Sequence, residues 1–214
     1  MRQEVTRLGN RALFFSLWWK QLAPAEAERL QPAGDSLRDQ DLRHYLAELR
    51  RFTPHTLDES LEQVINVKDS NGISGVLTLY SMLKSRLEFE SDIDGETQTM
   101  NEEQMRSLFV SPDPALRERT YQTIFATYAR AAPVLAQIYA NRVRDWHAEN
   151  VELRGFASPI AVRNLGNDVS DRAVETLLDV VHQNAPLFQD YFRMKGKWLG
   201  LERMRRSDVY APLA

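Results

Sequence analysis

The residues best suited to hold a metal ion or move a proton near neutral pH are four histidines, His44, His55, His147 and His182. A zinc hydrolase of the gluzincin kind needs two histidines one helical turn apart. It also needs a glutamate beside the first to activate water, and an acidic ligand farther along. That pattern, H-E-x-x-H, does not occur in the 214 residues. His44 opens H-Y-L-A-E and His147 opens H-A-E-N-V, and no histidine has a second one four positions on. All four are therefore expected to be surface or helix-packing residues, and no catalytic or metal-ligating residue is assigned.

Other chemistries lack their residues too. Cysteine is absent, which excludes disulfides and thiolate metal sites. There is no G-x-S-x-G, no P-loop and no dinucleotide fingerprint. Acidic pairs such as Glu102-Glu103 fit a solvated helix start better than acid–base catalysis. The stretch Asn141–Pro159 mixes Arg142, Arg144, Asp145 and Trp146 with a sharp break, and reads as a charged helix end and connecting turn rather than a substrate contact. No substrate-binding residue can be named.

Apolar residues make up 43% of the chain and charged residues 27%, enough for a core under a well-solvated surface. The net charge of −3 is spread over mixed signs, with no basic block for nucleic acid and no attraction to anionic lipid. No run approaches the roughly 18 apolar residues of a membrane span. Arg2, Arg7 and Arg11 precede an apolar run over Ala12–Trp19, but the run is short for a signal peptide, contains Trp18-Trp19 and follows Glu4. The expected location is the cytoplasm, in keeping with the missing cysteines.

The elements that must position any site are helices. Helical spacing runs over residues 4–22 and 37–52, through Leu61, Val64, Ile65 and Lys68 after a cap at Asp58, and through Ile73, Val76, Leu77, Tyr80 and Leu83. Pro24 opens a short helix after the first, and Thr53-Pro54-His55 ends the 37–52 helix. Leu87 and Phe89 alternate with charges, Asp94-Gly95 supplies a two-residue turn, and Thr97 and Thr99 lie on the return strand. Asn101 caps a short helix to about Val110, and Ser111-Pro112-Asp113-Pro114 opens the longest one. Its stripe from Tyr121 to Trp146 is expected in the core, with a kink at Pro133 or two helices end to end there. Ser158-Pro159 and Ser170-Asp171 open further helices, Pro186 interrupts the second, Gly200 ends it, and residues 203–214 read as extended. Adjacent Trp18 and Trp19 must face two sides, a sign of contact beyond their own helix. The fold class is thus all-α, a multi-helical array of long amphipathic helices with one small β-hairpin near residues 86–99.

Four ordered blocks resemble the oligoendopeptidase F family, within the thimet-oligopeptidase-like zinc metallopeptidases. Leu13–Leu22 is similar to the aromatic helix of one bacterial branch. Leu42–Leu57, L-R-H-Y-L-A-E-L-R-R-F-T-P-H-T-L, resembles the family's H-Y-L-x-x-L-R-R-x-x-P-H-T-L, followed by E-x-x-x-N-x-K-D-x-N-G at Glu62–Gly72. Ser111–Tyr121, S-P-D-P-A-L-R-E-R-T-Y, looks like the start of the peptidase domain. Arg154–Ser158 leads through Leu199-Gly200-Leu201 to D-V-Y-A-P-L at Asp208–Leu213, similar to a D-x-Y-x-P-L segment upstream of the catalytic half.

The resemblance implies a helical enzyme whose deep channel admits short peptides. Family members are longer, so the chain is expected to be an interior piece. Residues 1–99 would form a helical N-terminal domain ending in the hairpin, and residues 100–214 the first helices of the peptidase domain, without the zinc-bearing half. The implied function is a segment of a zinc metalloendopeptidase acting on short oligopeptides, part of the channel wall and inactive alone. Zinc would belong to the full-length enzyme, with none bound by this chain. Its partners would be short peptides and the missing C-terminal half, with no nucleic acid and no membrane. The alternative is a non-catalytic helical interaction or scaffold module derived from such an enzyme. The two differ in surface: a scaffold should expose no large apolar patch, whereas a segment should expose apolar side chains where the missing half docks.

Overall fold

The computed structural model describes residues 2–93 and 95–213. The chain is mostly helical, and its only strands among the described residues form one two-stranded antiparallel sheet. The helices are α1 (Arg2–Gln21), α2 (Pro24–Arg29), α3 (Leu37–Arg51), α4 (Glu59–Asn71), α5 (Ile73–Ser85), α6 (Glu102–Ser107), α7 (Pro114–His147), α8 (Pro159–Gly166), α9 (Asp171–Gln183) and α10 (Ala185–Trp198). The strands are β1 (Phe89–Ile93) and β2 (Glu96–Met100). The chain divides into two compact units, one of Met1–Leu77 with Ala140–Glu175 and one of Thr78–Tyr139 with Thr176–Ala214. Among the described residues no helix is long and apolar enough to cross a membrane.

In the first unit α1 packs against α3 and α4. Trp19, Ala27 and Leu46 form the buried cluster, with Leu22 and Leu49 against it. The Trp19 indole N–H donates to the Leu46 carbonyl at 2.7 Å, so the largest apolar side chain there is also satisfied. Arg50 donates to the Trp19 and Leu22 carbonyls, both at 2.8 Å, closing the otherwise unpaired C-terminal end of α1. Trp19 is buried and Trp18 exposed, as adjacent positions on one helix require.

In the second unit the hairpin pairs Phe89 with Met100 and Ile93 with Glu96. Asp94 of the expected turn lies outside the described residues, while Gly95 has φ +85, the left-handed conformation such a turn needs. Phe89 and Ser91 point into the protein and Glu90 outward. Phe89 packs with Met105 and Ile124, so one face of the hairpin rests on α6 and α7. Asn101 and Gln104 form a reciprocal capping box at α6, both bonds 2.9 Å. Ser36 and Ser158 cap α3 and α8 in the simpler way.

Helix α7 runs unbroken through Pro133, not as two helices end to end, and continues into a π-helical turn at Ala148–Leu153, closed by Arg154 N–H to Glu149 O at 3.0 Å. Two further expectations changed. The apolar stripe of α7 is core only in part: Ile124 is buried with Tyr128 packed beside it, Phe125, Tyr139 and Val143 are exposed, and Arg117, Thr120 and Thr127 complete the buried row. The hairpin, α6 and the Arg117 carboxylate partner select that row. The tail expected to be extended carries a short 3-10 helix at Arg206–Asp208, because Asp208 is held from several sides.

Candidate functional site

The four histidines lie on four separate elements: His44 on α3, His55 in a 3-10 turn (Thr53–His55), His147 at the end of α7 and His182 on α9. The chain does not supply two imidazoles from one helix turn, so these residues do not fit the catalytic zinc set of the family. His55 stacks on Phe156, ring centres 3.5 Å apart, and its Nδ1–H donates to the Arg154 carbonyl at 2.9 Å. His147 Nδ1 lies 3.1 Å from Glu152. His44 Nε2 lies 3.2 Å from Asp168 Oδ2 and 3.7 Å from Glu48 Oε2. These three are the described residues whose donor atoms could converge on one cation.

The unusual stretch Asn141–Pro159 ends in a clasp centred on Arg154. Its guanidinium donates to both Glu62 oxygens at 2.7 and 2.9 Å, to Glu149 at 2.8 Å and to the His55 carbonyl at 3.3 Å. Burial alone would raise the Glu62 pKa, but the Arg154 guanidinium and the Leu57 N–H hold it below the ordinary carboxylate range. Arg154 is correspondingly held protonated by Glu62 and Glu149. Asp69 moves the other way, raised by burial and by the carboxylates of Glu149 and Asp145. Every strong donor of Arg154 is used internally, so the geometry is a structural clasp joining the π-helical turn to α4 and the 53–55 turn.

A second clasp lies in the other unit. Arg117 Nη2 donates to Asp208 Oδ1 at 2.8 Å, with side chains 3% and 0% exposed. Nη1 of the same arginine binds the carbonyls of Ser111 and Pro112 at 2.7 and 3.0 Å. Asp208 also accepts the Arg205 N–H at 2.9 Å. Desolvation would raise the Asp208 pKa, and these donors bring it below its ordinary value. On α6, Glu102 receives Tyr128 at 2.7 Å, Lys84 at 3.0 Å and Arg106 at 2.6 Å. Burial pushes its pKa up, but the three donors outweigh that and bring it to about 2. Beside this group Phe109, Tyr121, Phe125 and Tyr128, with Arg106 and Arg206, line a recess of about 460 Å³. It is an aromatic surface with cationic edges, suited to an apolar group carrying an anionic neighbour.

Sequence reasoning left Glu48, Asp168, Arg117 and Asp208 without roles. Glu48 follows His44 by one helical turn, which was available as a signal. The partners Asp168 and Asp208 stand far along the chain from His44 and Arg117, and no local pattern announces them.

No protein-family model matches the chain. It is 22% identical over 181 residues to the group B oligopeptidase PepB of Streptococcus agalactiae, covering 80% of this chain and 29% of that protein. It is 19% identical over 213 residues to an oligoendopeptidase F homolog of Borreliella burgdorferi, covering 97% of this chain and 34% of that one. Its fold is similar to oligoendopeptidase-F from Enterococcus faecium, with a TM-score of 0.82 and 17% identity, over 97% of this chain and 41% of that one. The chain therefore spans about a third of the length of these curated relatives. In sequence order and in fold the chain is thus similar to a segment of the longer oligoendopeptidase F proteins.

Proposed function

We propose that this chain is a structural segment of a zinc metalloendopeptidase that hydrolyses peptide bonds in short oligopeptides. It forms part of the substrate-channel wall and is inactive alone. Residues 1–99 act as the helical N-terminal domain and residues 100–214 as the first helices of the peptidase domain. The catalytic zinc, bound by residues outside this chain, would activate the attacking water. This chain contributes packing surface and no proton transfer.

The observation that carries this reading is the unpartnered apolar side of α9 and α10. Leu177 is 62% exposed, Phe188 56% and Trp198 59%, with Leu178, Val181, Leu187 and Tyr191 also exposed. Two-sided helices of this kind bury their apolar stripe in a finished protein. A free-standing scaffold module would be expected to cover it, so the exposure favours the segment. The ordered similarity to longer peptidases supports the same choice.

The test is cleavage of a quenched fluorescent peptide, with zinc and with a chelator, by this chain and by a longer gene product containing it. Zinc-dependent cleavage by the longer product alone is the expected result. Chelator-sensitive cleavage by the 214 residues would overturn the proposal.

A further inference from the structure

We propose that His44, Glu48 and Asp168 form a binding site for a divalent transition cation. Helix α3 places His44 and Glu48 one turn apart on one side. Asp168, in the turn between α8 and α9, brings Oδ2 to 3.2 Å from His44 Nε2, and Glu48 Oε2 stands 3.7 Å from the same nitrogen. All three donor atoms lie within 4.8 Å of one another. A tetrahedral zinc ion about 2.0–2.1 Å from each ligand sets neighbouring ligand atoms about 3.3 Å apart. The two spacings from His44 Nε2 are close to that.

The rest of the arrangement fits. Arg51 contacts Asp168 Oδ1, which orients the carboxylate and leaves Oδ2 facing the histidine. An outer-sphere partner of this kind is usual for a ligating carboxylate. Two carboxylates and one guanidinium leave a net single negative charge beside the imidazole. The His44 side chain is 62% exposed, so water can fill a fourth position. Imidazole with carboxylates suits zinc or cobalt better than magnesium. The rival account is a protonated His44 held between two carboxylates, with no affinity for metal.

The chain contains no H-E-x-x-H, so stoichiometric uptake by it cannot come from a peptidase centre. Zinc titration of the 214-residue protein, followed by calorimetry, should give one site per chain. Cobalt in its place should give the intense visible bands of a four-coordinate ion. His44→Ala and Asp168→Asn should each lower zinc affinity at least about tenfold, and His182→Ala should leave it unchanged. Zinc should also raise the Tm of the parent and not of His44→Ala, because the ion ties α3 to the α8–α9 turn. Absence of stoichiometric uptake, or uptake that survives His44→Ala, overturns the proposal. If Asp168→Asn unfolds, His44→Ala decides the matter alone, since its exposed side chain can be removed without opening the core.

Discussion

At the scale of single residues, one buried ion pair carries a stability prediction. Arg117 and Asp208 are buried together, and Arg117 Nε has no hydrogen-bond partner among the described residues. Removing one member leaves the other as an uncompensated buried charge, which typically costs about 3–5 kcal/mol. Asp208→Asn should therefore lower the unfolding free energy by about 3 kcal/mol or more in urea titration, and a loss under about 1 kcal/mol would contradict the clasp. Glu102 sets a pH dependence. Its folded pKa is depressed to about 2 from an unfolded value near 4.5. Its contribution is thus complete above the unfolded value and is lost as pH falls toward the folded one. Up to about 3 kcal/mol should disappear over that window. Glu102→Gln should flatten the acid limb of the thermal-unfolding profile, and an unaltered limb would remove Glu102 as its cause.

At the scale of elements, helix starts follow local rules and helix faces do not. Asn101, Ser158 and the Asp113–Pro114 start act where sequence chemistry predicts them, whereas Asp58, also expected as a cap, makes no side-chain bond to the start of α4. Asn101→Ala should cost about 1 kcal/mol by removing the capping box between hairpin and α6. Hydrogen exchange should then show faster opening of β2 and α6 than of α1. The face of α7 was not legible, because its buried row contains Arg117, Thr120 and Thr127, residues that periodicity assigns to solvent. The clasps also give physical content to the family blocks. Glu62 belongs to one block and Arg154 to another, and Arg117 and Asp208 likewise come from two. His55 joins the first pair through its bond to Arg154. These residues fasten stretches that lie far apart in the chain.

At the scale of the whole molecule, the apolar surface of α9 and α10 decides behaviour. The isolated chain should bind the dye ANS and self-associate. Replacing Leu177 and Phe188 by Gln should reduce both while leaving far-UV circular dichroism unchanged, since neither side chain is buried. A parent chain that stays monomeric and dark with ANS at high concentration would instead favour the free-standing module.

The sequence by itself determined the class, the helix starts, the hairpin register and the lack of an H-E-x-x-H pattern. Each is written in contacts between residues a few positions apart. Tertiary structure alone decided which side of α7 is buried, why the tail is fixed, and that Asp168 meets His44 and Glu48. Those outcomes depend on ion pairs between residues far apart in the chain, where desolvation and partner geometry outweigh the local pattern of polarity.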